Sequence, residues 1–151
     1  MENNNLRGMF QMVVRRFGFL NDQCCESCCG QEVSTMQSHI LYEISRQKNP
    51  SIQDVANALG LDITTFSRQV KTLVEKGLVK KTPNPSDNRV YILSLTEKGA
   101  TIEESINKEM NTYLNKILSH LSDYEKESVI RSIKLLDDAM RKSEDYCCSP
   151  K

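Results

Sequence analysis

The chain has no tryptophan, only two histidines, and no excess of either sign of charge, with 20 Lys and Arg against 20 Asp and Glu. It also lacks any apolar run near the ~18 residues that a membrane span requires, so no membrane partner is expected. The motifs Gly-x-Gly-x-x-Gly, Gly-Lys-Ser/Thr, Gly-x-Ser-x-Gly and His-Glu-x-x-His are all missing. Two histidines leave little general-base chemistry, and the chain is read as a non-enzyme. Disorder is excluded by the balance of 38% hydrophobic with 26% charged residues, and 151 residues suit one domain around one core.

The doublet Arg15-Arg16 before Phe17-Gly18-Phe19-Leu20 has the look of a twin-arginine export signal, but Asn21-Asp22-Gln23 stands where the long apolar region belongs. The expectation is therefore a cytoplasmic protein. In a reducing compartment the six cysteines read as metal ligands or redox-active thiols rather than structural disulfides.

The neutral total hides a gradient. Between residues 51 and 99, seven basic side chains (Arg68, Lys71, Lys76, Lys80, Lys81, Arg89, Lys98) outnumber five acidic ones (Asp54, Asp62, Glu75, Asp87, Glu97), and the C-terminal third is negative by two. Alone, this fits a solvated mixed surface.

Apolar spacing is mostly helical. Leu6, Phe10, Val13, Phe17 and Leu20 line one face of a first helix ending near Asn21. The aperiodic stretch 22–33 reads as loop. Ser34 or Thr35 caps a second helix with Met36, Ile40, Leu41 and Ile44 inward, stopping before Asn49-Pro50. Ser51 with Asp54 starts a short helix, whose stripe is Ile52, Val55, Ala56 and Leu59 and whose stop is Gly60. Asp62 caps the next, with Ile63, Phe66, Val70, Leu73 and Val74 inward and Thr64, Thr65, Ser67, Arg68, Gln69, Lys71 and Thr72 outward, up to Gly77. Two such helices joined by a tight turn form a helix-turn-helix pattern.

The runs Leu78–Thr82 and Val90–Leu95 then predict a β-hairpin across a turn from Pro83 to Arg89. With Lys80, Lys81 and Arg89 it is a wing able to touch phosphates or the minor groove. Thr96 and the Ser122/Glu125 box begin two long helices with stripes Ile102, Ile106, Met110, Tyr113, Leu114, Ile117, Leu121 and Val129, Ile130, Ile133, Leu136, Met140. Their surplus apolar face predicts a two-fold dimer. The fold class is mainly α with a small β-hairpin, a winged helix-turn-helix lobe plus a helical dimerisation lobe.

Leu59-Gly60-Leu61, Ser67-Arg68-Gln69-Val70, the Leu73–Val79 run, Asp87-Asn88-Arg89 and Leu93-Ser94-Leu95-Thr96-Glu97-Lys98-Gly99, in this order and spacing, resemble the MarR family of bacterial winged-helix regulators over nearly the whole chain. Asp87-Asn88-Arg89 matches that family's Asp-x-Arg. The resemblance implies a single domain over 1–151, with 34–99 as the DNA-binding lobe and 1–33 and 100–151 as the dimerisation lobe. It implies a homodimer on a pseudo-palindromic double-stranded operator, usually a repressor, released by ligand, metal or thiol oxidation. No cofactor is needed for binding DNA.

Recognition helices present their N-terminal residues to the bases, so Thr64, Thr65, Ser67 and Arg68 are the base-edge candidates, while Gln69, Lys71 and Thr72 are phosphate candidates. Arg89 is the wing contact, and Asp87 either orients its guanidinium or only pins the turn.

Cys24, Cys25, Cys28 and Cys29, with Cys147 and Cys148 near the other end, are the remaining candidates. On a helix, Cys24/Cys28 and Cys25/Cys29 are i,i+4 neighbours ~5–6 Å apart at Cβ, and Cys25/Cys28 has the Cys-x-x-Cys spacing. Zn–S bonds of ~2.3 Å suit such pairs. Soft thiolates favour Zn, Cd, Cu(I) or As(III) as inducer. In the resembled fold both groups adjoin the dimerisation helices and could converge. Incidental surface thiols, oxidation sensing and a small thiol-rich metal buffer are the competing readings, as is a MarR-type repressor answering a small aromatic ligand. His39 and His120 read as packing or capping residues, with His39 close enough in sequence to the cluster to join it.

Overall fold

The computed structural model describes residues 6–16 and 33–143. Among them the order is α1 (Leu6–Arg16), α2 (Thr35–Arg46), α3 (Ile52–Leu59), α4 (Ile63–Glu75), β1 (Val79–Asn84), β2 (Asp87–Leu95), α5 (Glu97–Leu118) and α6 (Asp123–Lys142). The mainly helical class with one antiparallel hairpin stands. The described part of the first helix ends at Arg16, and its expected continuation through Phe17 and Leu20 lies outside the described residues.

Each helix starts where its capping chemistry says. Ser34, Ser51 and Ser122 each accept from the backbone N–H three residues on, and Gln37, Asp54 and Glu125 return the bond to the cap's own N–H. Asp62 and Thr96 cap α4 and α5 by the same i+3 bond. Gly60 (φ 64°) and Gly77 (φ 73°) end α3 and α4 in the left-handed region. Behind them the Leu61 N–H bonds Ala56 O and the Leu78 N–H bonds Leu73 O, both 3.0 Å, the closing bond of a Schellman motif.

The core lies among α2, α3, α4 and the base of the hairpin. Ile40, Leu41, Ile44, Val55, Phe66, Val70, Leu73, Leu78, Val79 and Leu93 are buried there, and Ile102 and Ile106 of α5 pack against it. Two inward assignments fail in α4: Ile63 is 45% exposed and Val74 is exposed too, because helix α3 and strand β1 cover only the narrow Phe66–Val70–Leu73 strip. In α2, Met36 is exposed and Gln37 is buried at 6% instead, its amide being used by the cap.

The hairpin is longer than its sequence suggests. Pro83 and Asn84 belong to β1 and Asp87–Arg89 to β2, so the turn shrinks to Pro85-Ser86; Pro83 is tolerated because it sits on an edge strand. Register runs from Val79 opposite Leu95 to Pro83 opposite Tyr91, then shifts so that Asn84 faces Asp87. β2 is fastened at its base, where the Leu93 N–H donates to Pro50 O at 2.9 Å and Ile92 bridges Ser51.

In one protomer α1 and α6 bury no residue at all, and Met9, Phe10 and Val13, with Ile130, Ile133 and Leu136, stand open to solvent. Among the described residues, no helix is long and apolar enough to cross a membrane.

Candidate nucleic-acid interface

Helix α4 is held by one side. Phe66, Val70 and Leu73 recur at three and four residues and anchor it in the core, which leaves the opposite side outward. Thr64, Thr65, Ser67, Arg68 and Lys71 are exposed there, whereas Gln69 and Thr72 are half-buried on its flank. The Thr72 hydroxyl donates to Arg68 O at 3.2 Å, so its proton is already committed. Asp62 accepts from the Thr65 N–H at 2.9 Å, and the hydrogen bonds from Thr65 hold its carboxyl below the ordinary range. The start of α4, where base-edge contacts arise in this motif, is thereby fixed in pitch.

The far end of α4 has a second tie that its sequence does not announce. Lys76 at the C-cap donates from Nζ to Gln37 Oε1 at 3.0 Å, the same oxygen that accepts the Ser34 N–H at 3.2 Å. A buried glutamine thus connects the start of α2 to the end of α4.

In the hairpin, Asp87 Oδ1 accepts both the Arg89 backbone N–H at 3.1 Å and Arg89 Nε at 3.2 Å. One carboxylate oxygen therefore pins the turn and aims the guanidinium together, and the two readings of Asp87 describe one geometry. Asn84 Oδ1 accepts the Ser86 N–H at 2.9 Å and tightens the same turn. The Arg89 side chain is 92% exposed. Below it, Lys81 Nζ lies 4.4 Å from the ring centroid of Tyr91, a residue the sequence pattern assigned only to the strand.

A shallow groove of about 320 Å³ opens between the end of α2 and the base of β2, floored by Ile44, Leu93 and Leu95, with Ser45, Lys48 and Asn49 on its rim. On α5, burial and the neighbouring Glu104 push the Glu103 carboxyl up, against a hydrogen bond with Ser45.

Cys24, Cys25, Cys28, Cys29, Cys147 and Cys148 lie outside the described residues. Among the described residues no group of three or more His, Cys, Asp or Glu side chains is placed to hold a metal ion. His39 is on α2, where its charge helps lower Glu43, a carboxyl that burial pushes up but that hydrogen bonds from Arg46 and Gln47 hold below the usual range. His120 lies in the turn between α5 and α6.

The model of the MarR family matches residues 33–91. The HTH-type transcriptional regulator BilQ of Clostridioides difficile is 26% identical over 116 residues, covering 76% of this chain and 78% of that protein. Among solved structures, the chain is similar to Streptococcus pneumoniae FabT in complex with DNA, with a TM-score of 0.80 and 17% identity over 90% of this chain and 95% of that one. It is also similar to the S. aureus MepR–DNA complex, with a TM-score of 0.73 and 20% identity over 89% and 98%. At such identities the structural likenesses speak for the fold.

Proposed function

Since the chain belongs to the MarR family and is a DNA-binding transcriptional regulator, we propose that it acts in the cytoplasm as a homodimeric repressor on a pseudo-palindromic operator. The observation that carries this reading is α4, clamped to the core on one side and presenting Thr64, Thr65, Ser67, Arg68 and Lys71 on the other, followed directly by a hairpin that carries Arg89. Residues 34–99 are the reading lobe, and 1–33 with 100–151 the pairing lobe. Thr64, Thr65, Ser67 and Arg68 meet base edges; Gln69 and Lys71 meet phosphates, as does Thr72 once its hydroxyl turns away from Arg68 O; Arg89, aimed by Asp87, meets the flank of the site.

The test is a gel shift on duplexes selected by the protein from random sequence. One dimer is expected per pair of half-sites about one helical turn apart, with affinity falling steeply in added salt. Arg68→Ala and Arg89→Ala should each weaken operator binding by about 1–3 kcal/mol, the former with relaxed sequence preference. Parent-like binding by both variants would refute the assignment.

Release is assigned to the thiols. Zn, Cd, Cu(I) or As(III) at Cys24, Cys25, Cys28 and Cys29, with Cys147 and Cys148, weakens DNA binding, and a coupling of ~1–3 kcal/mol suffices for a switch. The fourfold Cys→Ser variant of the first cluster should bind the operator but ignore Cd and arsenite. If it responds as the parent does, the second reading takes over: a small aromatic acid as inducer. The groove beside Lys48, with its apolar floor, favours that reading.

A further inference from the structure

We propose that Tyr91 is a positioning residue for DNA binding. Its ring holds the Lys81 ammonium on the outer part of the wing, which makes Lys81, and not the adjacent Lys80, the wing's second grip on the phosphate backbone. This rests on the DNA-binding reading above and adds the residues by which the wing would act.

The argument starts from strand alternation. In β1, Val79, Lys81 and Pro83 share one face and Lys80 and Thr82 the other. Register puts Lys81 opposite Leu93, Pro83 opposite Tyr91 and Lys80 opposite Ser94, and directly opposed residues share a face. One face therefore carries Val79 and Leu93 at its base, both buried in the core with α4, and Lys81, Pro83 and Tyr91 farther out, exposed. Lys80 projects from the side turned away from that core. Two lysines that are interchangeable in sequence are thus opposed in space.

On the outer part of that core-side face Lys81 Nζ reaches diagonally across to Tyr91, 4.4 Å from its ring centroid, within cation–π range. Arg89 precedes Tyr91 by two residues, in the stretch of β2 where the register shifts, and its side chain is 92% exposed. A lysine head on a four-carbon stem loses rotamer freedom when it docks on phosphate, and a ring that holds it beforehand lowers that loss. Asp87 does for Arg89 what Tyr91 does for Lys81. The wing then offers two pre-aimed cations.

The experiment measures fluorescence anisotropy of the full chain on a labelled mixed-sequence duplex across a salt series. Lys81→Ala should lower the slope of log affinity against log salt by roughly one for each bound wing, while Lys80→Ala leaves the parent slope. Tyr91→Phe keeps the ring and should bind as the parent. Tyr91→Leu keeps a strand-compatible apolar residue but no π face; it should weaken binding roughly two- to fivefold per wing, and add nothing when combined with Lys81→Ala. Equal slopes for Lys80→Ala and Lys81→Ala, or a Tyr91→Phe variant as weak as Tyr91→Leu, would overturn the proposal. A parent chain that binds no duplex at any salt would instead overturn the DNA-binding reading on which it stands.

Discussion

Gly99 is a residue whose replacement by a single methyl has a calculable consequence. A Cβ there would lie 2.0 Å from the carbonyl oxygen of Leu78, which is itself held by the Thr96 N–H at 3.1 Å. Alanine is favoured over glycine within a helix by about 1 kcal/mol, yet a backbone clash of this depth outweighs it. Gly99→Ala should lose about 1–3 kcal/mol, read as a lower midpoint in thermal or urea melts, and a stabilised variant would refute the packing described. Gln37→Leu should cost about 1–3 kcal/mol by stripping the Ser34 N–H and the Lys76 ammonium of a shared acceptor. At this scale the sequence was a partial guide. Gly60, Gly77, Ser51 and Asp62 announce their roles because turns and caps demand particular residue types. The exchange of Met36 for Gln37 at the α2 surface was not legible, since a period of 3.6 does not say which of two neighbours a cap will draw inward.

For the elements, the caps make stability depend on acid. Hydrogen bonds to the cap residues Ser51 and Ser122 hold Asp54 and Glu125 below their ordinary range, and Thr65 does so for Asp62. A carboxyl depressed in the folded state contributes stability that is fully present above its unfolded value and disappears as pH falls through the folded one. Helix-detected melts should therefore hold steady down to about pH 4.5 and weaken below it. Asp62→Asn, which still caps, should flatten part of that acid loss; an unchanged profile would remove α4 from the account. The helix starts and ends were readable from capping pairs and glycines. The wing's true length was not, because proline and asparagine signal a turn locally while edge-strand pairing overrides them.

Taken as a whole, the protomer leaves too much oil in water. Ile133 is 61% exposed and sits with Ile130 and Leu136 on α6, while α1 opens Leu6, Met9, Phe10 and Val13. A dimer that covers these faces should melt at a temperature rising with protein concentration. Ile133→Glu with Leu136→Glu should elute as a monomer on gel filtration and lose operator affinity, since each lobe would then bind alone. The periodic stripes make this surplus visible in the sequence, whereas their pairing partner is not encoded in a spacing. The root of α5 has one more implication. Thr96 donates its hydroxyl to Gly77 O at 2.6 Å and accepts the Gly99 N–H at 3.0 Å, so the end of α4, the start of β1 and the first turn of α5 are riveted together. A tilt imposed on the first turn of α5 would therefore pull directly on the carbonyl at the end of α4, and Thr96→Val should uncouple the two while leaving both helices folded.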